Sequence, residues 1–310
     1  MKIVVTLGGN ALLRRGEVMS AQTQQKNVRL ACQALKQVAK EHDLVLGHGN
    51  GPQVGLIALQ NEAYNDKVPA YPFDILGAES QAMVGYLFMQ EMRNALGGSS
   101  VAVMLTQSVV SEEDPAFKNP TKFIGPVYDE ATAKALAQEK GWVVKADGQY
   151  FRRVVPSPRP QRIVEMDAIK ALVNSGITVI AGGGGGVPVL EKNGQLTGVE
   201  AVIDKDYACS LLAKELGADM LVIATDVPGV FVNWGTPEQK RIKAASPEHL
   251  RQMGFAAGSM GPKIQAACEF VESGKGNAAI GALEDIEAIV KGQNGTLISA
   301  NVKEIEYYEA

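Results

Sequence analysis

The run Lys2-Ile3-Val4-Val5-Thr6-Leu7-Gly8-Gly9-Asn10-Ala11 decides the fold. Lys2 to Leu7 is β-branched and apolar enough for a buried strand, and it stops at two glycines. Gly8-Gly9 leaves bare backbone N–H groups at the strand end, and an amphipathic stretch follows. A strand, a glycine loop and a helix in that order favour anions, because loop amides and a helix N-terminus carry partial positive charge. The same two glycines would also serve as a plain turn at a sheet edge, so the rest of the chain must decide.

Working outward, Val28, Ala31, Leu35 and Val38 recur at helical spacing within Gln22 to Lys40, which predicts a helix with one buried stripe. Asp43 to Gly47 reads as a second strand, broken at His48-Gly49-Asn50-Gly51-Pro52-Gln53-Val54-Gly55 before another helix. Gly77 to Leu96 predicts a helix and Ser100 to Thr106 a strand, so an alternating α/β order is established. From Ser111 to Tyr128 this order lapses into charges and prolines. Trp142 to Lys145 and Tyr150 to Val155 then flank Asp147-Gly148, a hairpin signal. A hairpin inside a βα chain is an insertion, and a small subdomain over 111–160 is expected to project over the end of the main sheet.

Further on, Ile163 to Asn174 reads as a helix, and Ile177 to Ala181 as a buried strand opening into the five glycines Gly182 to Gly186. Asp204 to Leu216 is an expected helix, Met220 to Thr225 a strand ending at Asp226, and Lys263 to Glu272 a helix. A strand at Asn277 to Gly281, a helix at Glu284 to Lys291 and a strand near Gly295 to Ser299 complete the pattern. Strand ends at Gly8, Gly47, Gly182 and Thr225 line up along one edge of an open parallel sheet, so their loops should share one crevice.

Composition narrows the partners. Thirty basic residues against 34 acidic ones leave a net charge of −4 over 310 residues, which gives no footprint for nucleic acid or an anionic membrane. No apolar run approaches the ~20 residues needed to span a bilayer. Cys32, Cys209 and Cys268 are isolated, as expected of buried thiols in a reducing, cytoplasmic setting. His42, His48 and His249 show no metal-ligand spacing, and no residue is singled out as a metal ligand. The P-loop, protein-kinase and dinucleotide fingerprints are all absent.

Seven stretches in sequence order carry a resemblance. They are Leu7-Gly8-Gly9-Asn10-Ala11-Leu12, Gly49 to Gly55, Asn119-Pro120-Thr121-Lys122, Val155-Pro156-Ser157-Pro158, Gly182 to Gly185, Gly198 to Asp206, and Gly258-Ser259-Met260-Gly261-Pro262-Lys263. Together they resemble the motif series of the carbamate kinases, within the amino-acid-kinase superfamily, and they span nearly the whole chain. The resemblance implies a three-layer αβα sandwich with a mostly parallel central sheet and a small inserted β-hairpin subdomain. It also implies a homodimer and reversible phosphoryl transfer between ADP and carbamoyl phosphate with Mg2+, with ATP made in fermentative catabolism of arginine or related ureido compounds. The expected division is a substrate lobe over 1–215 carrying the subdomain, and a nucleotide lobe over 216–310.

Phosphoryl transfer needs positive charge on the migrating oxygens more than a covalent partner, and this suits the lysines in those motifs. The resemblance assigns catalysis to Lys122, Lys205, Asp206 and Lys263, with Asp206 orienting neighbouring lysines and Lys263 also reaching the nucleotide phosphates. Outside their motifs, the three lysines would read as solvated surface groups. Gly8, Gly9 and Asn10, with Gly49, Asn50 and Gly51, are expected to hold the carbamoyl and phosphoryl oxygens through neutral amides. Gly184, Asp226 and Met260 join Lys263 on the nucleotide side. Other superfamily members often place a lysine just before the first glycine pair. Here that region is Thr6-Leu7, and Lys122 would have to supply the charge from the subdomain.

Two departures are local: Tyr150-Phe151 precedes Arg152-Arg153 where tryptophan is common, and Ala82 stands where glycine is frequent. Two other functions fit the same residues. One is a superfamily kinase acting on another carboxylate or a nucleoside monophosphate, and the other is a nucleotide-binding regulator without turnover.

Overall fold

The Lys2–Leu7 strand lies near the middle of a ten-stranded sheet, and its alternating side chains explain the layers. Val4 joins one apolar cluster, whereas Ile3, Val5 and Leu7 join another on the opposite face. Both faces are buried, which is why the strand reads as an unbroken apolar run. The computed structural model describes residues 1–14, 16–255 and 260–309.

The helices, in chain order, are α1 (Ala21–Glu41), α2 (Gly51–Ala63), α3 (Phe73–Ala95), α4 (Glu130–Lys140), α5 (Met166–Asn174), α6 (Lys205–Leu216), α7 (Pro247–Gln252), α8 (Met260–Glu272) and α9 (Ile286–Val290). α1, α3 and α9 cover one face of the sheet, and α5, α6 and α8 cover the other. In spatial order, the strands are Phe231–Val232, Lys240–Ala245, Thr296–Ile298, Asn277–Ala282, Met220–Thr225, Lys2–Leu7, Asp43–His48, Thr178–Ile180 and Val101–Val103, with Glu306–Tyr307 added beside Lys240–Ala245. From Asn277–Ala282 to Val101–Val103 every pairing is parallel. The three-layer fold with a mostly parallel sheet is therefore as expected.

The helix boundaries have local causes. Ser20 caps α1 by accepting from Thr23 N–H at 3.1 Å, and Asp204 caps α6 by accepting from Asp206 N–H at 2.9 Å. α6 stops at Gly217, whose φ of +68° is left-handed. α3 starts at Phe73, earlier than the expected Gly77, because Pro72 marks the turn and Asp74 suits a first helical turn.

The strand expected over Ser100 to Thr106 is instead Val101–Val103, followed by a separate strand Gln107–Val109 in a second sheet. The Gln81 side chain breaks the run at Thr106. It accepts from Thr106 N–H at 2.7 Å and donates to Thr106 O at 3.1 Å, the same oxygen that accepts from Val187 N–H of the second sheet at 2.8 Å. The second sheet also holds the hairpin Val187–Lys192 and Gln195–Gly198, which the sequence reading passed over. Asn193 and Gly194 form its turn, both with positive φ.

Within 111–160, the hairpin Val143–Asp147 and Tyr150–Val155 closes with Asp147 opposite Tyr150. A third strand, Lys122–Tyr128, and the helix α4 complete the unit, so it is larger than the hairpin alone. Lys122 and Ile124 pair with Val155 and Arg153. Those four residues consequently share one face, and its Ile124 and Val155 pack with Val54, Ile57, Phe73 and Leu76 of α2 and α3. Among the described residues, no helix is long and apolar enough to cross a membrane. All three cysteines are buried free thiols.

Candidate functional site

Strand register assembles the site. Leu7 lies opposite Ala224 on one side and His48 on the other, so the loops after these three strands leave the sheet at one level. Gly49 N–H donates to Leu7 O at 2.9 Å, which draws the second glycine loop onto the first. A Cβ on Gly49 would lie 3.4 Å from both Gly9 N and Lys205 Cδ, so a bare backbone here lets the lysine stem pass close by. A crevice of about 730 Å³ opens above, lined by Gly8, Gly9, Thr225, Asp226 and Lys263. Its lining also includes Arg14, Asn27, Ala31 and Glu284. The backbone of Asn10 lies in the single turn Gly9–Ala11; its side chain, with Gly258 and Ser259, lies outside the described residues.

The charged half is built by the first turns of α6 and α8. Asp206 is 2% exposed and its carboxylate accepts from Lys205 Nζ at 2.5 Å, Lys263 Nζ at 2.9 Å and Thr6 Oγ at 3.4 Å. Burial alone would raise the Asp206 pKa, but the two ammonium groups overcome it and hold the carboxyl well below its usual range. Burial likewise pulls the Lys205 pKa down, and the Asp206 and Asp204 charges outweigh that pull and raise it. Lys122 reaches across from the subdomain to Asp204 Oδ2 at 2.7 Å. Three ammonium groups face two carboxylates, leaving a surplus positive charge for an anion.

The glycine-rich half is neutral. His48 is enclosed, and burial pushes its pKa down to about 4, with its hydrogen bond to the Gly49 carbonyl opposing the shift. It is thus uncharged at neutral pH, its Nδ1–H donating to Gly49 O at 3.1 Å. Asn50 Nδ2 donates to Ser80 Oγ at 2.6 Å, and the Asn50 side chain packs on the Gly182 to Gly186 loop. A Cβ on Gly184 would lie 2.2 Å from Asn50 Nδ2, and one on Gly183 would lie 2.5 Å from His48 Nε2. These side chains occupy the space that glycine leaves.

The structure brings Lys122, Lys205, Asp206 and Lys263 into one region with Gly8, Gly9 and Gly49, and Gly51 begins α2 just beyond. The nucleotide candidates are divided. Asp226 and Lys263 line the crevice, whereas Met260 opens α8 outside its lining and Gly184 is buried behind Asn50. Asp226 accepts from Thr225 Oγ at 3.1 Å.

Three groups were missed. Asp204 carried a signal, since Asp-Lys-Asp at a helix start places a capping carboxylate beside the motif lysine. Arg14 and Glu284 had no signal, because their approach to the crevice depends on loop paths.

No group of three or more His, Cys, Asp or Glu able to cage a metal occurs among the described residues. Mg2+ carried on phosphates needs only one or two carboxylates, and Asp226 and Glu284 on the crevice wall fit that requirement.

Comparison with known proteins places this geometry among relatives. The amino acid kinase family profile matches residues 1–281. The chain is 53% identical over 310 residues to a carbamate kinase of Haemophilus influenzae, covering 99% of this chain and 100% of that one. It is 51% identical to a carbamate kinase of Rhizobium meliloti, covering 99% and 96% respectively. The structure of a carbamate kinase from Giardia lamblia bound to AMP-PNP is 39% identical and superposes with a TM-score of 0.88, covering 96% of this chain and 98% of that one.

Proposed function

We propose, on the premise that the chain belongs to the amino acid kinase family and within it to the carbamate kinases, that it transfers a phosphoryl group reversibly between ADP and carbamoyl phosphate. A terminal phosphate oxygen of ADP attacks the phosphorus of carbamoyl phosphate. The P–O bond to carbamate breaks, and carbamate leaves to decay to ammonia and carbon dioxide. ATP is the other product.

The observation that carries the mechanism is Asp206 held between Lys205 and Lys263 beside Gly9 and Gly49. The carboxylate fixes two ammonium groups at one point, so little reorganisation remains when charge gathers on the migrating group. Lys263 also lines the crevice with Asp226, which supports a role for it in bridging the nucleotide phosphates and the transferred group. Lys122 approaches from the subdomain and supplies the charge for the other side. Backbone amides of the Gly8-Gly9-Asn10 and Asn50-Gly51 loops hold the small planar carbamoyl group without adding charge, while Gly49, its N–H given to Leu7 O, contributes a bare backbone beside Lys205. The substrate lobe over 1–215, with its subdomain over 111–160, then meets the nucleotide lobe over 216–310 across this crevice.

Mg2+, held by Asp226 or Glu284 together with the nucleotide, would neutralise phosphate charge. A homodimer in the cytoplasm, making ATP during arginine catabolism, completes the reading. The purified protein should form ATP from ADP, Mg2+ and carbamoyl phosphate. No ATP under those conditions sinks the proposal, and activity on another carboxyl phosphate or a nucleoside monophosphate would redirect it.

A further inference from the structure

We infer that Arg159 is a positioning residue for this phosphoryl transfer: it fixes the stem of the inserted subdomain to the two helices that carry Lys205, Asp206 and Lys263. The inference rests on the reading of the site as a phosphoryl-transfer centre.

The chain leaves the second sheet after Val109 and rejoins it at Arg162, the residue paired with Val109. Between those points, Asp114 closes the stem. One of its oxygens accepts from Ala116 N–H at 2.8 Å and the other from Arg159 N–H at 2.8 Å. The Arg159 side chain then crosses to the body. Its guanidinium carbon lies 3.4 Å from the centre of the Tyr207 ring, and its Nη2 is ion-paired with Glu269. Tyr207 directly follows Asp206 on α6, and Glu269 lies on α8 with Lys263. Tyr207 O–H donates to Gln265 Oε1 at 2.8 Å, and Gln265 Nε2 donates to Glu269 Oε1 at 3.2 Å. One planar cation therefore joins the stem to α6 and α8 together.

The subdomain reaches α6 again close by: Lys122, paired with Val155 at the foot of the stem, meets the capping carboxylate Asp204. With the stem fixed against Tyr207 a few residues away, the height of Lys122 above the Asp206 cluster is set at two neighbouring points. Stability alone is a poor account of the contact. The Arg159 and Glu269 side chains are 41% and 33% exposed, and exposed ion pairs contribute ~0–1 kcal/mol. Position is the more sensitive quantity, since a displacement of about 1 Å can slow an enzyme by about 10²-fold. Lysine would keep the charge but lose the flat stack on Tyr207.

The test measures ATP formation, thermal stability and amide exchange in Arg159→Gln and Arg159→Lys. Arg159→Gln should lower kcat at least ~10-fold while KM for ADP and the melting temperature hold. Exchange should quicken in the Lys122–Tyr128 strand, and α6 and α8 should stay protected. Arg159→Lys should restore only part of kcat. Tyr207→Leu removes the same stack from the other side and should repeat the pattern. Unchanged kcat, a loss confined to KM for ADP, or lower kcat with unchanged exchange in the strand would overturn the inference. So would quickened exchange spread over α6 and α8, because the contact would then be general support. A wild-type protein that makes no ATP would instead remove the underlying functional reading.

Discussion

The two halves of the crevice are held in place by different physics. The glycine half, from Gly8-Gly9 through Gly49 to the Gly182 to Gly186 loop, is neutral, and in that last loop His48, Asn50 and Ser108 side chains fill the space where Cβ atoms of Gly183, Gly184 and Gly186 would sit. The lysine half is shaped by charge, with Asp204 fixing the distant Lys122 and Asp206 fixing its neighbour Lys205 and the distant Lys263. Substitutions in the Gly183 to Gly186 stretch should therefore register mainly as lost stability. In the second half they should register as lost turnover.

The largest expected effect breaks the lysine half. Lys205→Ala should lower kcat for ATP formation by ~10² or more, as for loss of a preorganised charge donor, while the protein still folds. A variant with wild-type kcat would remove Lys205 from the mechanism. Gly184→Ala probes the other half. Its φ of +62° is strained for alanine, and the new methyl would meet the Asn50 amide. Thermal or denaturant unfolding should show a loss of ~2–3 kcal/mol, and an unchanged midpoint would show that Asn50 yields freely.

Asp204→Asn sharpens the contrast further. Asparagine caps a helix as well as aspartate does, so α6 should keep its start while Lys122 loses its anionic partner. A fall in kcat of roughly tenfold, about 1.4 kcal/mol of barrier, with a stable melting temperature is expected. A drop in melting temperature without a change in kcat would make Asp204 a cap alone.

The smallest effect near neutral pH belongs to His48. Its folded-state pKa of about 4 lies below the ordinary imidazole value of 6.5, so the unfolded chain binds the proton first as pH falls. Stability should decline from about pH 6.5 and level off below about pH 4. The loss at pH 6 is under about 1 kcal/mol. His48→Gln should lack this part of the pH slope, and an unaltered slope would assign the titration to another group.

Much of the architecture was legible because burial leaves a local imprint. Met220 to Thr225 was read with its observed ends, since a strand covered on both faces is apolar throughout and stops at a polar residue. Phe231–Val232 and Glu306–Tyr307 at the sheet edge, and Lys240–Ala245 beside them, were missed, because strands at this end of the sheet bury less and mix charged with apolar residues. Asp204 was legible as part of a motif but not as the partner of Lys122. Gly184 was read as a nucleotide contact from its glycine run, whereas its place against Asn50 comes from how the five-glycine loop packs on His48, Asn50 and Gln81.

By itself the sequence determined the strand, the glycine loop that opens the chain and the set of lysines carried in motifs. Hydrophobic period and glycine position are local properties, and they are written wherever the backbone must be covered or approached. Only the tertiary structure decided which carboxylate meets which lysine. Lys122 and Asp204 are 82 residues apart, and Asp206 and Lys263 are 57 apart. Contacts at such separations are set by sheet register and by the packing of α6 against α8, neither of which has a period to read.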